Sequence, residues 1–110
     1  MIEKTISEIE AKVRDAKSVG EDRKQELLEL LARLKSEVSA IEKTHAEQAD
    51  TIAGFARLSA HEATRQEQNP QTLQHSVEGL RSSSAGFEQS HPQLVQTVNS
   101  ISQLLANLGI

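Results

Sequence analysis

The chain has 110 residues, enough for one domain, with a formal net charge of −4, two aromatics (Phe55 and Phe87) and no Cys, Trp or Tyr. These numbers exclude disulfide and thiolate chemistry and a phosphate-binding surface of clustered Lys and Arg with stacking aromatics. They also exclude a spanning helix, which needs about 20 apolar residues. Apolar residues make up 36%, so a single-chain core is expected to be thin, with burial gained by pairing long helices between copies.

Ile2, Ile6, Ile9, Val13 and Ala16 are spaced 4, 3, 4, 3, a helical stripe rather than a strand's period of two. Thr5 with Glu8 has the form of a capping box, and Gly20 supplies a stop signal. The spacing predicts a first helix over about residues 3–18. The opening segment Met-Ile-Glu-Lys-Thr-Ile carries no apolar run of the kind a secretory leader needs, so none is expected.

Asp22 followed by Gln25 reads as a new helix start. The stripe Leu27, Leu31, Leu34, Val38, Ile41, His45, Gln48, Ile52, Phe55, Ser59 then alternates 4 and 3 without a slip, and no Pro occurs before Pro70. This predicts one long central helix over about 22–67, roughly 69 Å at 1.5 Å per residue. Leu27, Leu31, Leu34, Val38, Ile41, Ile52 and Phe55 form its seam. The first helix can fold back over its start and the third over its end. The middle, around Val38 to Ile52, is then left for the fourth helix or for a second subunit in a homodimer or higher oligomer, most simply an antiparallel homodimer. The centre of the seam is polar at His45 and Gln48, which reads either as a hydrated gap or break near residues 44–50, or as a layer that sets register. Gly54 weakens the helix or marks a close approach beside Phe55.

Asn69-Pro70 ends the long helix, because Pro disfavours helical conformation at the preceding residue. Leu73, Val77, Leu80, Ser84 and Phe87 mark a third helix over about 71–88, softened at Ser82-Ser83-Ser84 and Gly86. Ser90-His91-Pro92-Gln93 is the clearest boundary in the chain: Ser90 is placed to cap, Gln93 to close the box, and Pro92 fits a first turn. The fourth helix, about 92–108, carries Leu94, Val98, Ile101, Leu105 and Leu108. All but three of the charged residues precede residue 68, and the exceptions are Glu78, Arg81 and Glu88. The C-terminal surface is therefore polar but uncharged, which eases burial against a partner. The fold class expected is all-α: a helical hairpin or bundle with coiled-coil-like seams.

Candidate chemistry is sparse. Glu42-Lys43-Thr44-His45 and Glu88-Gln89-Ser90-His91 both read Glu-x-x-His, a spacing that di-metal helical bundles use with further Glu residues. The second straddles a Pro-marked boundary, and the apolar stripes offer no further inward Glu. His61, Glu62 and Arg65 fall within about one turn and read as an exposed polar cluster, and His75 as a surface or interface residue. Ser82-Ser83-Ser84 lacks a nearby His and the Gly-x-Ser-x-Gly context of a nucleophile. The glycines are isolated, with no phosphate-cradling loop. No basic amphipathic face suits a membrane surface.

The stretch Gly86-Phe87-Glu88-Gln89-Ser90-His91-Pro92-Gln93-Leu94, followed by Leu104-Leu105-Ala106-Asn107-Leu108-Gly109-Ile110, resembles a family of small bacterial helical proteins, the domain of unknown function DUF4404. The likeness is specific over 86–110, extends weakly to Ile52–Phe55 and Asn69-Pro70, and fades to generic Leu/Glu-rich helix over 1–40. It implies a bacterial cytoplasmic protein without a known activity. It also implies that Phe87, Glu88, Ser90, His91, Pro92, Gly109 and Ile110 matter to the family. The residues themselves read structurally, with Phe87 as core, Ser90 as cap and Pro92 as helix start, and an ionic or hydrogen-bonded Glu88–His91 contact is expected at the turn. The function expected is that of a non-enzymatic oligomeric interaction protein without cofactor, which self-associates and presents helical surface to a protein partner. A metal-binding bundle using His and Glu is the second reading.

Overall fold

Helices form along the runs of 4, 3 apolar spacing. The computed structural model describes residues 2–108, and within them lie α1 (Ile2–Asp15), α2 (Glu21–Glu42), α3 (Ala46–Thr64), α4 (Pro70–Ser84) and α5 (Pro92–Leu108), with a 3-10 turn at Ala85–Phe87. They pack as one all-α bundle with a Cα radius of gyration of 12.8 Å, close to the ~13 Å of a compact chain of this length.

Helix α3 is the hub: α1, α2, α4 and α5 all pack against it. Its buried face is mostly small, with Ala49, Ala53, Ala56, Ala60 and Ala63 beside Ile52 and Ser59, and small side chains let neighbouring helix axes approach closely. Helix α1 lies across α2 and α3. Glu10, only 8% exposed, pairs with Lys35 of α2 at 2.7 Å, and the Lys12 ammonium lies 2.9 Å from His61 Nδ1 of α3. On the α3–α4 side, Phe55 packs where Gly79 has no side chain: a Cβ there would lie 2.6 Å from ring Cδ1 and 2.8 Å from Cζ. The close approach expected at Gly54 is therefore made at Gly79, and a Cβ on Gly54 would meet nothing within 4 Å.

The expected long helix over 22–67 is two helices. The chain turns at Lys43–His45, where Ile41 O accepts from both Thr44 N (3.2 Å) and His45 N (2.7 Å) and His45 leaves helical geometry at φ −136°, ψ 56°. The physical reason is burial. A continuous rod would leave the Val38–Ile52 stretch exposed, whereas folding back gives up one turn of helical hydrogen bonds and lets α2 and α3 cover each other. The expected seam consequently closes on itself: Leu27, Leu31, Leu34, Val38, Ile41 and Ile52 are each 2% exposed or less within one chain, and Phe55 is half-buried against the core.

The other ends also shift from their expected places. Helix α1 stops at Asp15, so Gly20 is the N-cap of α2, with no side-chain cap bond. Helix α3 ends at Thr64, and Asn69-Pro70 starts the next helix instead of ending the last. Asn69 Oδ1 accepts from Gln71 N (3.1 Å) and Thr72 N (3.2 Å), with Pro70 in the first turn, where its missing N–H costs nothing. Helix α4 ends at Ser84 because Ser83 and Ser84 turn their hydroxyls back onto Leu80 O (2.7 Å) and Arg81 O (3.2 Å). Such back-bonding competes with the regular ladder.

Candidate functional site

Two places bring together the residues that carry information. The first is the end of the bundle where the α2–α3 turn meets the turn before α5. Phe87, only 6% exposed, is gripped by two imidazoles in edge-to-face geometry: His45 at 5.3 Å and His91 at 5.7 Å between ring centroids. Each imidazole is held by its neighbour's hydroxyl, Thr44 Oγ1 to His45 Nδ1 at 2.8 Å and Ser90 Oγ to His91 Nδ1 at 3.0 Å. His91 N donates to Phe87 O at 2.7 Å, and His91 O accepts from Leu94 N (3.1 Å) and Val95 N (3.4 Å) to start α5.

This geometry corrects two expectations. Helix α5 starts at Pro92, and the Ser90 hydroxyl lies against the His91 ring and accepts no backbone N–H of α5 among the described residues, so the expected side-chain cap is not made. Glu88 is exposed and forms no ion pair among the described residues, so the expected Glu88–His91 contact is absent there. Pro92 occupies the first position of α5. Gly109 and Ile110, the terminal pair of the motif, lie outside the described residues. The two Glu-x-x-His histidines both pack against the Phe87 ring, and the described residues contain no group of three or more His, Asp or Glu placed to hold a metal.

The remaining polar candidates separate. His61 faces Lys12, while Glu62, 5% exposed, holds Arg65 Nη1 at 2.9 Å. His75 is exposed on α4. Ser39, Ser59 and Ser102 carry buried hydroxyls without a hydrogen-bond partner among the described residues.

The second place, which the sequence patterns did not single out, is a groove along α2 and α5. The helices run antiparallel: Glu37 faces Gln93 at one end, and Arg23 and Glu26 face Gln103 and Asn107 at the other. Three clefts of about 250–360 Å³ follow one another along it. On the α2 wall stand Arg23, Glu26, Leu30, Arg33 and Glu37, spaced 3, 4, 3, 4. On the α5 wall stand Gln93, Gln96, Ser100, Gln103 and Asn107, with the same spacing and no charge. Glu37 lines the cleft that reaches Ser90–Leu94 as well, and its Oε1 is buried without a hydrogen-bond partner among the described residues. The signal was present as a second 3, 4 stripe on α2, masked because its members are charged.

Among known proteins, a family model described as a domain of unknown function (DUF4404) matches residues 27–110. The match takes in the Phe87 clasp and the groove from Leu30 onward, and leaves out α1 and the start of α2 with Arg23 and Glu26. No curated protein and no solved structure matches the chain.

Proposed function

The chain belongs to the domain-of-unknown-function family DUF4404, and we propose that it is a non-enzymatic, self-associating helical protein of the cytoplasm that presents its α2–α5 face to protein partners. The observation that carries this reading is the uncharged α5 wall, where Gln93, Gln96, Ser100, Gln103 and Asn107 line a groove open along its length. Amide and hydroxyl side chains cost less to desolvate than charges, and depletion of charge marks the centres of protein interfaces. The Phe87 clasp acts as scaffold. It fixes the start of α5 relative to the α2–α3 turn and so sets the width of the groove where Glu37 meets Gln93.

The test is the mass in solution by light scattering after size exclusion, over a range from about 1 μM to about 1 mM, the span in which interfaces of modest area associate. The expected result is a mass that climbs from 12.1 kDa to twice that value. A mass fixed at the monomer value throughout sinks self-association.

A further inference from the structure

We infer that the groove's occupant is a second copy of this chain, docked antiparallel so that α2 of each protomer lies in the α2–α5 groove of the other about a two-fold axis at Leu30. The inference rests on the self-association proposed above and names the surface that performs it. Its ground is the order of charges on the α2 wall. Reading from the N-terminal end, Arg23, Glu26, Leu30, Arg33 and Glu37 run plus, minus, apolar, plus, minus.

Such a row is its own complement when reversed. An antiparallel neighbour centred on Leu30 sets Arg23 opposite Glu37 of the other copy and Glu26 opposite Arg33, and the two-fold axis doubles each pair. A parallel neighbour in register sets every charge against its like. Leu30, half-buried in the monomer, meets its own copy at the axis, the only apolar member of the α2 row. None of the four charged side chains has an ion-pair partner among the described residues. Glu37, which brings a buried carboxylate oxygen without a donor, gains the guanidinium of Arg23 from the neighbour.

The groove also fits the shape of such a pairing. Each α2 enters the space between α2 and α5 of the other protomer, giving a rhombic four-helix arrangement with the two α2 helices on the short diagonal. The uncharged α5 walls then flank the neighbour's α2 and offer amides to its charged side chains. An isologous contact of this kind closes at two copies and does not propagate.

The experiment is a charge swap read by sedimentation and light scattering, with circular dichroism confirming that each variant stays helical. Arg33→Glu alone and Glu26→Arg alone each create two like-charge contacts across the axis, and each raises the dimer dissociation constant about tenfold or more. The double variant Glu26→Arg/Arg33→Glu restores opposite signs and returns the constant to within about threefold of the original. A wild-type dimer that ignores both single reversals overturns the groove pairing and leaves self-association standing on another surface. A wild-type chain that stays monomeric overturns both together. A dimer weakened by the single reversals and not recovered by the double swap overturns the antiparallel register.

Discussion

Replacing Gly79 by Ala tests how tightly α3 and α4 are set. Gly79 lies inside α4, where Ala is the better helix former by about 1 kcal/mol. On propensity alone the substitution stabilises. Against this, the new Cβ would lie 2.6 Å from Cδ1 of Phe55 and 2.8 Å from Cζ, well inside van der Waals contact. The ring has to swing off α4, and overpacking of this kind costs about 1–3 kcal/mol. The net effect expected is a loss of about 1 kcal/mol, or about 4 °C in Tm for a domain of this size. Gly54, inside α3, is the matched control: an added Cβ there would meet nothing within 4 Å, and Gly54→Ala gains about 0.5–1 kcal/mol. The assay is urea unfolding followed by far-ultraviolet circular dichroism, since the chain has no Trp or Tyr to report. A Phe55→Ala background removes the obstacle and turns Gly79→Ala stabilising. Equal gains from Gly54→Ala and Gly79→Ala in the native background refute the reasoning.

Two further outcomes are expected. His91→Ala loses an edge-to-face contact with Phe87 and costs about 1 kcal/mol, whereas Phe87→Ala empties a buried site and costs about 3–5 kcal/mol; an unchanged melting temperature for His91→Ala removes the ring from any structural role. Lys35→Ala strands the buried Glu10 carboxylate and costs about 1–3 kcal/mol, more than Glu10→Ala, which leaves a lysine free to reach water. Chemical denaturation of both variants gives the order, and the reverse order refutes the claim that Glu10 is the confined partner.

The periodic stripes were legible because burial obeys the helical period. Ile6, Leu31, Val38, Leu80 and Leu105, read from spacing alone, are among the most deeply buried side chains. What covers the middle of the long seam was not legible. The Leu27–Ile52 seam looks the same to the eye whether a second copy or the chain's own α1, α3 and α5 close over it, because spacing reports a face and not its neighbour. The turn at Lys43–His45 has no Gly or Pro to announce it, but the polar seam positions His45 and Gln48 did mark a candidate break there, and the buried positions resume at Ala49 rather than Gln48, a change of phase that a strict 4, 3 count passes over. Alanine hid the rest: the α3 face that touches every other helix scores as nearly neutral, though it sets how close the helices come. At the Phe87 turn the motif residues Phe87 and Ser90 both contact His91. The other ring partner of Phe87, His45, comes from a segment 42 positions away along the chain, and no local pattern links them.

The hub position of α3 also orders how the molecule comes apart. Each of the four outer helices packs against α3, so lifting any one of them leaves α3 in contact with the other three. Amide hydrogens of α1, held by α2 and α3 alone, exchange with solvent through small local openings. Those of α3 exchange only when the whole bundle opens, because no partial opening uncovers it. Exchange rates along the chain therefore form a gradient centred on Ala53–Ala60, and the slowest amides give the global stability directly, without denaturant.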